Sequence, residues 1–301
     1  MAIKIGFSSM VCPAWDLKTM LTQARDMGFD GIELRNLSGT LHLPEVPELT
    51  DDPSNVLALA KQTGVSLVCL GCSAAFESPD PKALDQARRQ LSETLELAGK
   101  LEVPYVRIFL GDAQAGEHRG TLGRIASELR KQAPLAARCR TTILVENGGD
   151  FCGSTDLWFI VDAAAHPNVA ACWNPLNGRF DGEAPTRSVP RLGSKLKMFR
   201  LADGDFDPQG RFLGYQMPGS GDVDLKRGLE LLKGVCFQGW LMFEWPKMIA
   251  TLPEPEAALP KVLEFAHNVL TATDTVLSAY KGDKNAPNFQ APTAVETAKG
   301  Q

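Results

Sequence analysis

Eight short apolar runs, each followed by a stretch with helical spacing, divide this sequence from end to end. The runs lie at 3–8, 32–34, 65–72, 103–110, 142–147, 169–173, 196–201 and 239–244. They are bounded mostly by Gly, Pro, Asp and Asn and are too short for independent helices, so they read as buried strands. The stretches between them carry a helical stripe, as in 16–27, where Leu17, Met20, Leu21 and Ala24 share one face. Further helices are expected at 53–63, with Pro53 in the first turn, at 80–101, and at 120–138 with a bend or break near Pro134. Others fall at 154–164, with Ser154 or Thr155 as N-cap, at 222–234 and at 256–280. Strand–helix alternation implies parallel pairing with the helices outside. For 301 residues, closure into a single (β/α)8 TIM barrel is the economical α/β solution. An open, doubly wound sheet is the alternative, and no GxGxxG follows the first strand to support it.

Two of the runs end on a carboxylate. Thr142-Ile143-Leu144-Val145-Glu146-Asn147 and Gly239-Trp240-Leu241-Met242-Phe243-Glu244 share this design. A buried strand rarely carries Glu unless a partner compensates the charge. Side chains alternate along a strand, so Leu144 shares a face with Glu146, and Met242 with Glu244. Both carboxylates are therefore expected to point inward at one end of the barrel. The other strand ends add Glu33, Arg107, Trp173 with Asn174 and Asn177, and Arg200 with Asp203. In such barrels the chemistry sits at the C-terminal ends of the strands. A set this polar and mixed in charge suits a polyhydroxylated or carbonyl compound.

Composition narrows the partners. The net charge of −5 disfavours a phosphate-backbone binder, so no nucleic acid is expected. No run is long enough to span a bilayer, and the start lacks the apolar core of a signal peptide. Seven cysteines, several in apolar runs, read as reduced core residues of a cytoplasmic protein. Cys69 and Cys72 form a CxxC within a strand, a spacing that puts them on opposite faces. The four histidines are scattered and read as ordinary surface or core residues. His42, in the long loop after the second strand, is the one to watch. Trp15, Phe76, Trp173 and Trp245 could wall a sugar face or simply pack.

These residues carry a family resemblance. Gly28-Phe29-Asp30-Gly31-Ile32-Glu33, the Leu-Val-Glu-Asn strand, Trp173-Asn174-Pro175, the segment from Pro218 to Asp224, and the terminal Glu244 together resemble the xylose isomerase-like barrel superfamily. That superfamily holds sugar epimerases and isomerases, dehydratases and metal-dependent nucleases. The resemblance implies a sugar isomerase or epimerase acting by proton transfer next to a carbonyl, with Glu146 and Glu244 as paired acid and base. The substrate-binding set would be Glu33, Arg107, Asn147, Trp173, Asn177, Arg200 and Asp203. A lyase or dehydratase on the same scaffold, or a metal-free non-catalytic relative, is the alternative. A homo-oligomer is compatible with all three.

The resemblance also implies a divalent metal (Mn, Mg, Co or Zn), held by Glu, Asp, His and Glu at the ends of strands five to eight. Glu146 and Glu244 match, but Asn174 stands where Asp is expected and Arg200 where His is expected. Asn is an uncharged, poorer ligand, and Arg has no lone pair to donate. Two geometries follow. With Arg200 turned inward, its guanidinium neutralises Glu146 and Glu244 in the metal's place. With Arg200 turned away, Glu146, Asn174, Glu244 and waters form the metal site. A structural ion network, pinned by Arg200 and Arg107, is the remaining reading of the same residues.

The barrel domain is expected to span 1–280, followed by a polar tail, 281–301, without apolar periodicity. Deleting 283–301 is expected to leave the melting temperature within about 2 °C, read by differential scanning calorimetry. A larger drop would show that the tail docks.

Overall fold

The computed structural model describes residues 3–246 and 253–282. Of the expected tail, 281–301, residues 281 and 282 continue the last helix, and 283–301 lie outside the described residues. The strands are β1 (Lys4–Ser8), β2 (Gly31–Leu34), β3 (Ser66–Gly71), β4 (Tyr105–Phe109), β5 (Thr142–Glu146), β6 (Val169–Trp173), β7 (Leu196–Leu201), β8 (Asp203–Phe206), β9 (Phe212–Gln216) and β10 (Trp240–Phe243). Eight of them close into a parallel barrel in the order β1-β10-β7-β6-β5-β4-β3-β2, while β8 and β9 form a separate antiparallel hairpin. The barrel is therefore the closed one expected, not an open sheet.

The helices are α1 (Leu17–Met27), α2 (Pro47–Thr50), α3 (Pro53–Thr63), α4 (Pro81–Lys100), α5 (His118–Arg138), α6 (Ser154–Ala164), α7 (Pro175–Phe180), α8 (Pro185–Leu192), α9 (Leu225–Gly234) and α10 (Pro255–Gly282). Local chemistry sets their ends. Asp16 accepts from the Thr19 N–H at 2.7 Å to start α1, and Gly28, at φ 91°, stops it in a left-handed turn that only glycine adopts freely. Asp80 caps α4, and Pro81 occupies the first turn, where a missing N–H costs nothing. Two local expectations are corrected. The α6 cap is Gly153, because Ser154 already lies within the first turn and donates to Glu183. The helix α5 runs through Pro134 without the break allowed for there, since proline removes only one intrahelical donor.

The structure has two apolar cores. Val68, Cys69, Leu144, Ala170, Cys172, Met198, Trp240 and Met242 fill the barrel interior. The larger core lies between the barrel and its helices and takes in the expected α1 stripe, together with Cys72. Cys69 thus lies in the interior and Cys72, just past β3, in the outer core; all seven cysteines are free, but Cys236 is exposed and Cys139 and Cys152 are half-buried, so not all are the core residues expected. Leu144 and Met242 face inward, as alternation required. The hairpin β8–β9 and the helices α2, α7 and α8 were not legible as elements. Asp203-Gly204-Asp205-Phe206 is a poor strand sequence and depends on bonds from elsewhere, including the Phe206 N–H to Asp222 at 2.7 Å.

Gly6 and Gly31 make the interior fit. A Cβ at Gly31 would sit 2.4 Å from the Val68 methyl and 2.8 Å from both the Ser66 carbonyl and the Trp240 ring. Trp240 fills the barrel because Gly31 leaves its space. Gly31→Ala is expected to destabilise by about 1–3 kcal/mol through overpacking, read by urea unfolding. An unchanged midpoint would show that the barrel base relaxes freely.

Candidate active site

Five charged side chains converge at the C-terminal end of the barrel. Strand β2 supplies Glu33, β4 supplies Arg107, β5 supplies Glu146, β7 supplies Arg200, and Glu244 follows β10 directly. Glu33, Arg107, Glu146 and Arg200 are buried, and Glu244 keeps 15% of its side chain exposed. Arg107 spans three carboxylates. Its Nε donates to Glu33 at 2.6 Å, and its terminal nitrogens donate to Glu146 at 2.8 Å and to Glu244 at 3.3 Å. Arg200 does the same from the opposite wall. Its guanidinium donates to both Glu33 oxygens, at 2.5 and 3.1 Å, and to Glu146 at 3.1 Å, and lies 3.3 Å from Glu244. Arg200 therefore turns inward, and its guanidinium joins Arg107 between the two catalytic candidates.

The three carboxyls are not equivalent. Burial alone would push Glu33 up, but the two guanidiniums outweigh it and bring the group to about 2. Burial opposes ionisation of Glu146 as well, and Arg200, Arg107 and the Asn174 amide overcome it, so that group also lies below the usual carboxylate range. Glu244 goes the other way. Its burial, reinforced by the charges of Glu33 and Glu146, outweighs the two arginines and raises it. The reason is arithmetic: two cations face three anions, and the third anion has no matched partner. Glu244 also receives the longest contacts, a Ser8 hydroxyl and one guanidinium nitrogen from each arginine, all at 3.3 Å.

A cleft of about 300 Å³ opens above this cluster. Met10, Arg35, Phe109, Asn174, Asn177, Tyr215 and Glu244 are among its walls. Glu146 and Glu244 reach it as expected, and so does Asn177. Arg107, Arg200 and Glu33 lie beneath it as its charged floor. Three expected substrate-binding residues are placed elsewhere. Trp173 points out of the barrel and packs against Gly178, since a Cβ there would sit 2.5 Å from its ring. Asn147 stitches loops: its amide donates to the Cys152 and Asn174 carbonyls and accepts from the Asn174 N–H. Asp203 accepts four backbone N–H bonds, from Gly204, Gly219, Gly221 and Val223, at 2.8–3.1 Å. It anchors the loop after the hairpin. His42 pairs with Glu93 on α4 at 3.0 Å. Arg35, Phe109 and Tyr215 were missed. Arg35 lies one residue past β2, and the hairpin that carries Tyr215 was not foreseen.

The donor set bears on a metal. The Asn174 amide oxygen accepts from the Leu176 and Asn177 N–H groups, at 3.1 and 3.4 Å, and caps α7. Its amide nitrogen faces Glu146 at 3.0 Å. An N–H, not a lone pair, therefore points at the carboxylate. Among the described residues no group of three His, Cys, Asp or Glu side chains is arranged to hold a metal ion.

A family model described as xylose isomerase-like TIM barrel matches residues 21–268. No curated protein matches the chain by sequence. Among solved structures, an L-ribulose 3-epimerase superposes with a TM-score of 0.76 at 17% identity, covering 95% of this chain and 100% of the other. The IOLI protein with a binding zinc atom gives 0.75 at 19%, covering 90% and 99%. D-psicose 3-epimerase with D-tagatose from Clostridium cellulolyticum H10 gives 0.72 at 18%, covering 89% and 99%. At these identities the likeness is one of fold.

Two outcomes follow from the charge arrangement. Arg200→Ala leaves three buried carboxylates with one guanidinium and is expected to cost about 3–5 kcal/mol of stability, read by urea unfolding. Glu244 is raised in the folded protein, so its contribution is fully present at low pH and lost as pH rises through its folded value. Glu244→Gln keeps the shape of the acid form and removes that loss. The melting temperature of Glu244→Gln is expected to exceed that of the parent at neutral pH, with the gap closing as pH falls. A gap that widens toward acid would contradict the raised carboxyl.

Proposed function

The chain belongs to the xylose isomerase-like TIM barrel family, and on that footing we propose that it acts on a small hydroxy-carbonyl compound in the cleft above Glu244. The reaction is proton transfer at the carbon beside the carbonyl, as in a sugar isomerase or epimerase, carried without a divalent ion. One observation supports this most: of three clustered carboxyls, Glu244 alone is both raised and open to the cleft. A carboxylate raised above its ordinary value is the stronger proton acceptor of the three.

The chain's own residues set the steps. Ionised Glu244 takes the proton from the substrate carbon, and the electron pair moves onto the carbonyl oxygen to give an enediolate. Protonation of Glu244 leaves two carboxylates facing two guanidiniums, a matched set, so the cluster favours uptake. Glu244 then returns the proton to the adjacent carbon while the hydroxyl proton passes to the former carbonyl oxygen, so the carbonyl moves by one carbon; return to the original carbon regenerates the substrate and appears only as hydrogen exchange. Glu146 is held by both arginines, the Asn174 amide and the Cys172 thiol, so it serves the charged floor rather than a second base. One mobile carboxyl suits a one-base isomerisation better than a two-base epimerisation. A dehydratase would share the first step.

The absence of a metal step rests on the donor set. Where relatives of the resemblance place Asp and His, an N–H donor and a guanidinium face Glu146. A divalent ion would meet existing cations and too few lone pairs. A binding-only relative is the second reading, favoured by Arg107 and Arg200 being already matched by Glu33 and Glu146.

The test is exchange of substrate carbon-bound hydrogen with D2O, followed by proton NMR over a panel of ketoses and keto acids. The parent is expected to exchange, Glu244→Gln to lose about 100-fold or more, and a chelator to change neither rate. Exchange that disappears with chelator and returns with Mn or Zn would overturn the metal-free reading. Binding without exchange across the panel would favour the binding-only relative.

A further inference from the structure

Arg35 is a cation without an ion-pair partner among the described residues. Every other guanidinium that reaches the cluster is matched by carboxylates, yet no Asp or Glu oxygen is recorded within 4 Å of this one. Its side chain uses two N–H groups, to the Leu41 carbonyl at 3.4 Å and the Ser73 hydroxyl at 2.9 Å. Guanidinium carries five, which leaves donors for a ligand in the cleft it lines.

The surroundings hold it there. A Cβ at Gly71 would sit 2.3 Å from the Arg35 stem, so the end of β3 is kept bare to seat it. The Phe109 ring lies 5.3 Å from its guanidinium carbon and 3.8 Å from that of Arg107, and eases the closeness of two like charges. Burial and Arg107 both work against its charge, while Glu244 and Glu33 support it. Such a group is costly to hold charged and unpaired, and an incoming anion relieves that cost.

The charge count fixes the size of the anion. Glu33, Glu146 and Glu244 against Arg107 and Arg200 sum to −1 with Glu244 ionised and to zero with it protonated. Arg35 adds +1. With Glu244 ionised, as the proton transfer requires, the three guanidiniums and three carboxylates cancel, and the free donors of Arg35 can take one further negative charge without a large net charge building up. That fits a single-charge anion, and a flat fork of donors fits a carboxylate. A phosphate dianion would bring a second negative charge close to Glu244 and Glu146.

We propose that Arg35 docks a substrate carboxylate, so that the cleft takes a hydroxy-carbonyl acid in preference to the neutral sugar. This rests on the cleft being the substrate site. Docking at Arg35, at one wall, leaves the hydroxy-carbonyl end of the molecule to lie toward Glu244. Tyr215 and Asn177 line the same cleft and can contact its hydroxyls.

The test uses three probes that differ only at one end: D-fructose, D-fructuronate and D-fructose 6-phosphate. Dissociation constants are measured by calorimetry for the full chain and for Arg35→Gln and Arg35→Lys. The parent is expected to bind fructuronate about 10-fold or more tighter than fructose. Arg35→Gln is expected to bring that ratio to about one, and Arg35→Lys, which keeps the charge without the fork, to leave it between the two. Because the readout is a ratio within one variant, it stands even when a variant binds everything more weakly, and the lysine variant covers a glutamine variant that does not fold. Equal affinity for fructose and fructuronate in the parent, or a preference that survives both variants, overturns the carboxylate site while leaving the proposed function in place. Tighter binding of the phosphate than of the carboxylate overturns it too. Failure of all three probes to bind overturns both the carboxylate site and the reading of the cleft.

Discussion

The C-terminal half of this barrel depends on one arrangement: two guanidiniums buried among three carboxylates. Taking a charge out of water costs several kcal/mol per ion even after relaxation. A barrel interior offers that many charges no solvent, so they must satisfy one another. Arg107 and Arg200 can do so because a guanidinium presents donors in several directions within one plane. Each reaches Glu33, Glu146 and Glu244 from opposite walls. A lysine at either position would reach as a point charge and leave some of these oxygens bare. The cluster thus ties β2, β4, β5, β7 and the end of β10 together above an apolar layer of Leu144, Met198 and Met242.

The same arrangement creates an imbalance, and the imbalance lies at the surface of the cleft. Glu33 is surrounded on both oxygens by guanidinium nitrogens, and Glu146 has two arginines and an amide. Glu244, at the open edge, receives what remains. Its burial therefore outweighs the arginines and raises it, whereas Glu33 and Glu146 are lowered. Arg35, which has no ion-pair partner among the described residues, sits on the same cleft. A raised carboxyl and a cation without a carboxylate partner among the described residues thus share one small cleft, and the proposed hydroxy-carbonyl acid would meet both. The network below ensures that neither is absorbed by the floor.

Much of the surrounding polar chemistry has a different task. Asp203 collects four N–H groups of the hairpin and the following loop, and Asn147 ties the loops after β5 and β6 together. Both stand at strand ends, where chemistry is expected in this fold, and both are occupied with holding backbone. Position at the mouth of a barrel is therefore not enough to mark a ligand-binding residue. What marks one is an oxygen or N–H left over after the backbone has been satisfied. By that measure Glu244 and Arg35 stand out, and Asn147 and Asp203 do not.

The eight strands, their order in the chain and the inward carboxylates were legible because apolar period and strand length are local properties. So were Glu146 and Glu244, since a carboxylate closing an apolar run signals a compensated charge wherever the run lies. The replacements Asn174 and Arg200 could be read from their places in a motif, but whether Arg200 turned in or out depended on the opposite wall. Arg107 and Glu33 lie far from it in sequence, and only barrel closure brings Glu33 within 2.5–3.1 Å of both guanidiniums. Trp173 could not be assigned a face until the Gly178 contact showed it packed outside. Arg35 went unseen because an arginine after a strand is ordinary, and what sets this one apart is a missing carboxylate. The sequence by itself determined the barrel and its buried acids, because these follow from patterns a few residues long. The tertiary structure alone decided which acid is raised beside the cleft and which cation there has no carboxylate partner among the described residues, because charge balance is a sum over residues that only the closed barrel places together.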